Sequence, residues 1–343
     1  MQGLPPTVFG DSERARGSAL LYSPREQLRT LSQAMSGPLA ELGRLLAEAL
    51  ERTSKAPAPM TIGKRTFEWG SRTYLMGVIN VTPDSFSDGG KHATLDAAVA
   101  AGERLAAEGV DLIDVGGEST RPGSEPVPVD LEIARVVPVV ERLAKVVDVP
   151  ISVDTTKARV MEEAARAGAA CANDISGLTF DPEMASTCAR LGLPVCLMHI
   201  RGVPRTMQAA PTYLDLVGEV IEGLKASMDI ALRHGLPAEK LVIDPGLGFG
   251  KTAEHNLFLL RNLSQLRALG RPILVGASRK SFIGKLTGRS VGDRLSGSLA
   301  VLASAVLAGA DLVRVHDVAE SKVAAQVADA IARAKEGGLA FAP

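Results

Sequence analysis

Three side chains able to carry charge or pair with a polar ring recur at one offset from a glycine. Asp114 follows Gly109, Asn173 follows Gly168 and Arg314 follows Gly309, each by five residues, in LAAEGVDLIDVGG, ARAGAACANDISG and VLAGADLVRVHDV. Glycine just past a helix permits the left-handed turn into a strand, so the fixed offset predicts three side chains at about one height. Strand side chains alternate, which puts Arg314 and His316 on one face and Val313 and Val315 on the other. Polar groups aimed at an interior are costly when unpaired, so the spacing argues for a site. Asp154 in SVDTTK and Asp244 in DPGLGFGK extend the set. Asp154 also fits a helix N-cap. With Asn173 and Asp244, however, it offers two carboxylates and a carboxamide, which suit a ring edge rich in N–H donors, such as a 2-amino-4-oxo heterocycle.

The cations point to an anion. Arg121 lies in the Gly/Pro-rich stretch GGESTRPG, where its planar fork suits carboxylate or phosphate but also simple solvation. Lys280 in SRKSFIG reads as an electrophile, a phosphate partner or a Schiff-base amine. Ser281 opens an apolar helical stretch whose first N–H groups favour an anion. Arg314 and His316 form a compact cationic pair suited to a diphosphate. His92, His234 and His255 have surface-like contexts, and His199 is open to either reading. DPGLGFGK resembles a phosphate loop but has Pro245 where that loop needs its first glycine. Its glycines read instead as positions where backbone approaches a ligand, with Phe249 as an apolar wall. The stretch 80–90, NVTPDSFSDGG, is built of turn formers and is long enough for a lid.

Eight short apolar runs must position these residues: 75–81, 110–115, 150–153, 169–172, 194–198, 240–243, 272–275 and 311–315. Continuous Val/Ile/Leu runs are strands buried on both faces, and helical segments separate them. The expected fold is an α/β (β/α)8 TIM barrel, in which the carboxyl ends of the strands build the site. Residues 1–59 form an N-terminal extension and 60–338 the barrel. Residues 1–36 are polar with scattered Pro and Gly and are expected to be poorly ordered, and leucines at 39, 42, 45, 46 and 50 predict a short amphipathic helix from 38 to 50. A hairpin over 61–74, turning at Trp69–Gly70, is expected to feed the first barrel strand.

The 343 residues suffice for one large domain with an appendage. A net charge of −1 and a pI near 6.6, with no basic run, argue against a nucleic-acid or membrane-surface partner. No apolar stretch is long enough to span a bilayer, and no signal peptide is evident at the start. Cys171, Cys188 and Cys196 lie among apolar neighbours without metal-ligand spacing, as buried reduced thiols of a cytoplasmic protein would.

In order, MGVINVTPDSFSDGG, DLIDVGGESTRPGSEPV, ISVDTTK, ANDISG, LMH, IDPGLGFGK, GASRKSFIG and RVHDV make a chain that closely resembles the dihydropteroate synthases over about residues 60–335. The resemblance implies a transferase of folate biosynthesis that joins (7,8-dihydropterin-6-yl)methyl diphosphate to 4-aminobenzoate. It implies pterin contacts from Asp154, Asn173, Asp244 and Lys280, and diphosphate contacts from Asn80, Thr120, Arg314 and His316. Asn80 would help hold Mg2+, and Phe86, Pro122, Phe249 and Ser281 would shape the aminobenzoate pocket. Asp114, Arg121 and Lys280 would be catalytic, and a homodimer is expected. The extension is too short to be a fused pyrophosphokinase. Rival readings are a methyltetrahydrofolate-dependent methyltransferase, a Schiff-base aldolase using Lys280 and a silent pterin-binding paralogue. SRK, RVHDV and STRPG suit an anionic leaving group and favour the synthase over the methyltransferase.

Overall fold

The computed structural model describes residues 25–81, 91–121, 123–276 and 278–334. Two compact units are present: residues up to 56 with Ala268–Gly270, and Pro57–Arg267 with the chain from Arg271 onward. In the first, helices α1 (Arg25–Ala34) and α2 (Ala40–Arg52) flank a short 3-10 turn. Helix α1 falls where no element was expected. Its support comes partly from afar, because the Arg25 guanidinium reaches Thr53 Oγ1 at 3.1 Å and the Leu50 carbonyl. Short polar helices depend on such tertiary contacts.

The second unit opens with a hairpin, β1 (Met60–Ile62) against β2 (Arg65–Phe67), with Ile62 opposite Arg65. The turn is therefore Gly63–Lys64 and not Trp69–Gly70 as expected. Gly63, at φ +59°, supplies the left-handed conformation that two-residue hairpin loops need. Eight parallel strands follow: β3 (Tyr74–Asn80), β4 (Leu112–Gly116), β5 (Ile151–Asp154), β6 (Cys171–Asp174), β7 (Val195–Met198), β8 (Leu241–Asp244), β9 (Leu274–Val275) and β10 (Leu312–Val315). They pair in the order β8-β7-β6-β5-β4-β3-β10-β9, and a parallel bridge from Ile243 to Ile273 joins the two ends. All eight apolar runs become strands. Helices α3 (Lys91–Glu108), α4 (Val129–Val146), α5 (Ala158–Arg166), α6 (Met184–Leu191), α7 (Leu216–Arg233), α8 (Ala253–Arg261), α9 (Ser281–Thr287), α10 (Leu295–Leu307) and α11 (Val318–Arg333) alternate with them. The architecture is the expected (β/α)8 barrel.

The hairpin seals one end. Ile62, Phe67 and Trp69 pack with Tyr74 and with the inward residues Met76, Leu112, Cys171, Cys196, Val242, Leu274 and Leu312. Phe67 stacks on Trp69 with centroids 5.3 Å apart. Access to the interior is thereby confined to the carboxyl ends of the strands.

Candidate active site

Period-two alternation converts this apolar floor into a polar layer one step higher. Two residues beyond Leu112, Cys171, Val242 and Leu312 stand Asp114, Asn173, Asp244 and Arg314, and two beyond Leu274 stands Gly276. Asp154 lies in register with Asn173 on β6 and with Gly116 on β4, and Gly116 with Asn80 on β3. Glycines 109, 168 and 309 have φ of +87°, +114° and +101°, the left-handed exits expected ahead of these strands.

The three offset residues meet. Asp114 is fully buried, and its Oδ2 accepts from Asn173 Nδ2 at 3.0 Å and from Arg314 Nε at 2.7 Å. Arg314 Nη2 donates to Asp154 Oδ2 at 2.9 Å. Asp114 Oδ1 is buried with no partner among the described residues. The anticipated Arg314–His316 cationic pair is modified accordingly, since two carboxylates already compensate Arg314. His316 meets Ser278 Oγ through Nδ1 at 3.1 Å. Loss of solvent on part of the ring, then the Arg314 and Arg279 cations, lower its pKa to about 4, so the free protein presents it neutral.

Burial raises Asp154 well above the ordinary carboxylate range, with Arg314 opposing. Burial likewise raises Asp244, whose Oδ1 accepts from Gly246 N at 2.7 Å and which Lys280 holds back. Lys280 lies with Nζ 4.2 Å from the centroid of the Phe249 ring. Burial first, then Arg314, lower its pKa to about 8. Phe249 is buried with Ile175, Met198 and Met207, and its ring seats the lysine.

The remaining expected residues are more scattered. Asp154 is not a helix cap, because α5 begins at Ala158 and Asp181 Oδ2 accepts from the Ala158 N–H at 2.8 Å. Thr120 is partly exposed, and Arg121 is exposed with no ion pair among the described residues. Ser281 is exposed in the first turn of α9. Phe86, Pro122 and most of the expected 80–90 lid lie outside the described residues. Glycines of DPGLGFGK approach the protein's own backbone: a Cβ on Gly246 would stand 1.9 Å from the His199 carbonyl oxygen, and one on Gly250 2.5 Å from that of Arg201.

Among the described residues no three His, Cys, Asp or Glu side chains form a metal cage. The rim offers something different. A Cβ on Gly116 would lie 3.8 Å from both Asn80 Oδ1 and Asp154 Oδ2, so the glycine leaves space beside one neutral amide oxygen. That donor fits Mg2+, which keeps waters and substrate oxygens as its other ligands.

Several participants escaped the sequence reading. Lys251 is buried, with Nζ 3.0 Å from His199 Nδ1 and 3.0 Å from the Phe249 carbonyl oxygen. Lys157 Nζ joins Glu118 and the fully buried Glu132, and Glu118 Oε2 also accepts from Val127 N at 3.2 Å. These contacts fasten the base of the stretch carrying Thr120 and Arg121. The signal was present in the lysines closing SVDTTK and DPGLGFGK, but their direction was not.

The fold and this mouth define a (β/α)8-barrel enzyme with groups for a polar heterocycle and an anion at its strand ends. Residues 76–316 match the family of pterin binding enzymes. The dihydropteroate synthase of Synechocystis sp. is 47% identical over 278 residues, covering 81% of this chain and 96% of that one. A Xanthomonas albilineans dihydropteroate synthase solved with 4-aminobenzoic acid superposes with a TM-score of 0.76 at 46% identity, covering 82% of this chain and 100% of the other. The same organism's synthase in complex with 7,8-dihydropteroate gives 0.73 at 43% identity, covering 81% and 100%. The chain belongs to the dihydropteroate synthase family.

Proposed function

We infer that this enzyme condenses (7,8-dihydropterin-6-yl)methyl diphosphate with 4-aminobenzoate, giving 7,8-dihydropteroate and diphosphate. The observation that carries the reading is the buried polar layer: Asp154, Asn173 and Asp244 on the inner barrel face, with Arg314 tied to Asp114 and Asp154. It suits a pterin edge, and the relatives solved with 4-aminobenzoic acid and with 7,8-dihydropteroate suit the same pair of ligands.

In the reaction the aminobenzoate nitrogen bonds to the pterin methylene, the bond from that carbon to the diphosphate oxygen breaks, and the nitrogen loses a proton. The methylene becomes cation-like as diphosphate leaves. Carboxylates of Asp154 and Asp244 beside the ring favour that charge, and preorganised charge is usually the largest catalytic contribution. Asp154, Asn173, Asp244 and Lys280 hold the pterin, with Lys280 donating from its Phe249 seat. Arg314, His316 and Thr120 receive the diphosphate. Asn80 would hold Mg2+, which neutralises charge on the departing diphosphate when bound. Arg121 and Asp114 contribute through loop order and through the orientation of Arg314. Phe86, Pro122, Phe249 and Ser281 shape the aminobenzoate pocket.

The enzyme works as a homodimer in the cytoplasm. Supporting the dimer, Leu307, Val323, Val327 and Ile331 are each more than half exposed on α10 and α11, where they line an apolar groove of about 350 Å3. Supporting the compartment, Cys171, Cys188 and Cys196 are free and buried. Among the described residues no helix is long and apolar enough to cross a membrane.

The test is diphosphate release by the purified protein with the pterin diphosphate and Mg2+, with and without 4-aminobenzoate. Release that depends on aminobenzoate and yields dihydropteroate is expected. Pterin binding without release would favour a silent paralogue or a methyltransferase.

A further inference from the structure

Lys251 has no part in the chemistry above, yet it is 2% exposed and fully engaged. Its Nζ lies 3.0 Å from the Phe249 carbonyl oxygen, 3.1 Å from that of Gly246, 3.3 Å from that of His199 and 3.0 Å from His199 Nδ1. Three of these partners are carbonyls, which only accept, so the site is built for the three N–H donors of an ammonium. Burial lowers the lysine's pKa to about 7, with Asp244 opposing. The cage draws together the end of β7 and the loop after β8. That loop turns on itself, with Phe249 N donating to Gly246 O at 3.1 Å, around the buried ammonium.

The far side of this loop is the seat of Lys280. The Phe249 ring lies under Lys280 Nζ, and a Cβ on Gly248 would stand 3.3 Å from Lys280 Cδ. Gly248 is itself fixed, its N–H donating to Asn256 Oδ1 at 2.7 Å and its carbonyl accepting from Gln208 Nε2 at 2.5 Å. Held at Gly246 and Phe249 by Lys251, the backbone between them presents one surface to Lys280. An enclosed ammonium does here what a bound monovalent cation would do in a carbonyl cage, without needing an ion from solution.

We propose that Lys251, caged with His199, is a positioning residue for the pterin site, acting as an internal cation that shapes the Gly246–Phe249 turn on which Lys280 rests. The proposal rests on the reading that Lys280 contacts the pterin, and it separates Lys251 from the phosphate-loop lysine its motif resembles.

The experiment is a double-mutant cycle on affinity for the pterin diphosphate, measured by calorimetry in the full chain without 4-aminobenzoate. Lys251→Met should weaken binding about tenfold in the wild-type background, but less than about twofold once Lys280→Ala is present, the non-additivity of residues acting as one unit. Equal losses in both backgrounds, or a folded Lys251→Met protein with wild-type affinity, would overturn the proposal. Lys280→Ala with unchanged affinity would instead remove the pterin-contact reading on which it stands. Should Lys251→Met fail to fold, Lys251→Ala assayed with ethylammonium carries the test. Restoration of affinity by the amine supports the internal cation, and a folded, amine-insensitive protein with normal affinity overturns it.

Discussion

Asp114 is the residue on which the polar layer turns, because one of its oxygens receives both Asn173 and Arg314. Removing a partner from a buried ion pair leaves an uncompensated charge. Asp114→Ala should therefore cost about 3 kcal/mol of stability, read from urea unfolding, and should lower kcat. Wild-type stability would mean that Asp154 alone compensates Arg314. Lys280 gives the clearest pH signature. Its pKa lies near 8 instead of the usual 10.5, so the folded protein binds fewer protons than the unfolded chain between those values. Stability from this group therefore rises with pH across that window. Pterin affinity should move the opposite way, weakening as pH rises through about 8 and the ammonium is lost. Calorimetry over that range checks this, and Lys280→Arg should remove the decline because arginine stays charged.

At the scale of elements, the strands were legible because burial on both faces leaves continuous apolar runs, and the glycine offset correctly brought Asp114, Asn173 and Arg314 together. Periodicity gives height along a strand but not position around a barrel. Arg314 and Asp154 are 160 residues apart, and nothing local marks them as partners or reveals that Arg314 is already neutralised. The hairpin turn was misplaced for a different reason. Gly63 and Gly70 both adopt positive φ, at +59° and +81°, and composition alone does not say which one closes a ladder. In DPGLGFGK the glycines did mark close approach, but to the chain itself. Gly246 combines φ +67° with a backbone oxygen 1.9 Å from the position of an added Cβ. Gly246→Ala should cost about 2 kcal/mol or more, since strain and collision act together. Thermal unfolding measures it, and an unchanged midpoint would show that the turn yields easily.

For the molecule as a whole, the hairpin plugs one end, so chemistry is confined to the other, where eight strand ends converge. The apolar groove between α10 and α11, lined by Leu307, Val323, Val327 and Ile331, carries the homodimer proposal. Val327 is 57% exposed, so Val327→Asp leaves the core untouched while placing a charge in the groove. Light scattering should show a dimer for the wild-type protein and a monomer for the variant; a variant still dimeric would put the interface elsewhere. The central claim is that the buried polar layer inside the barrel is the pterin seat. Its most direct measurement is the affinity of Asp154→Ala for (7,8-dihydropterin-6-yl)methyl diphosphate, by calorimetry, alongside the wild-type protein. A folded variant that has lost about a hundredfold in affinity, close to 2.8 kcal/mol, is the predicted result. Wild-type affinity in a folded variant would contradict it.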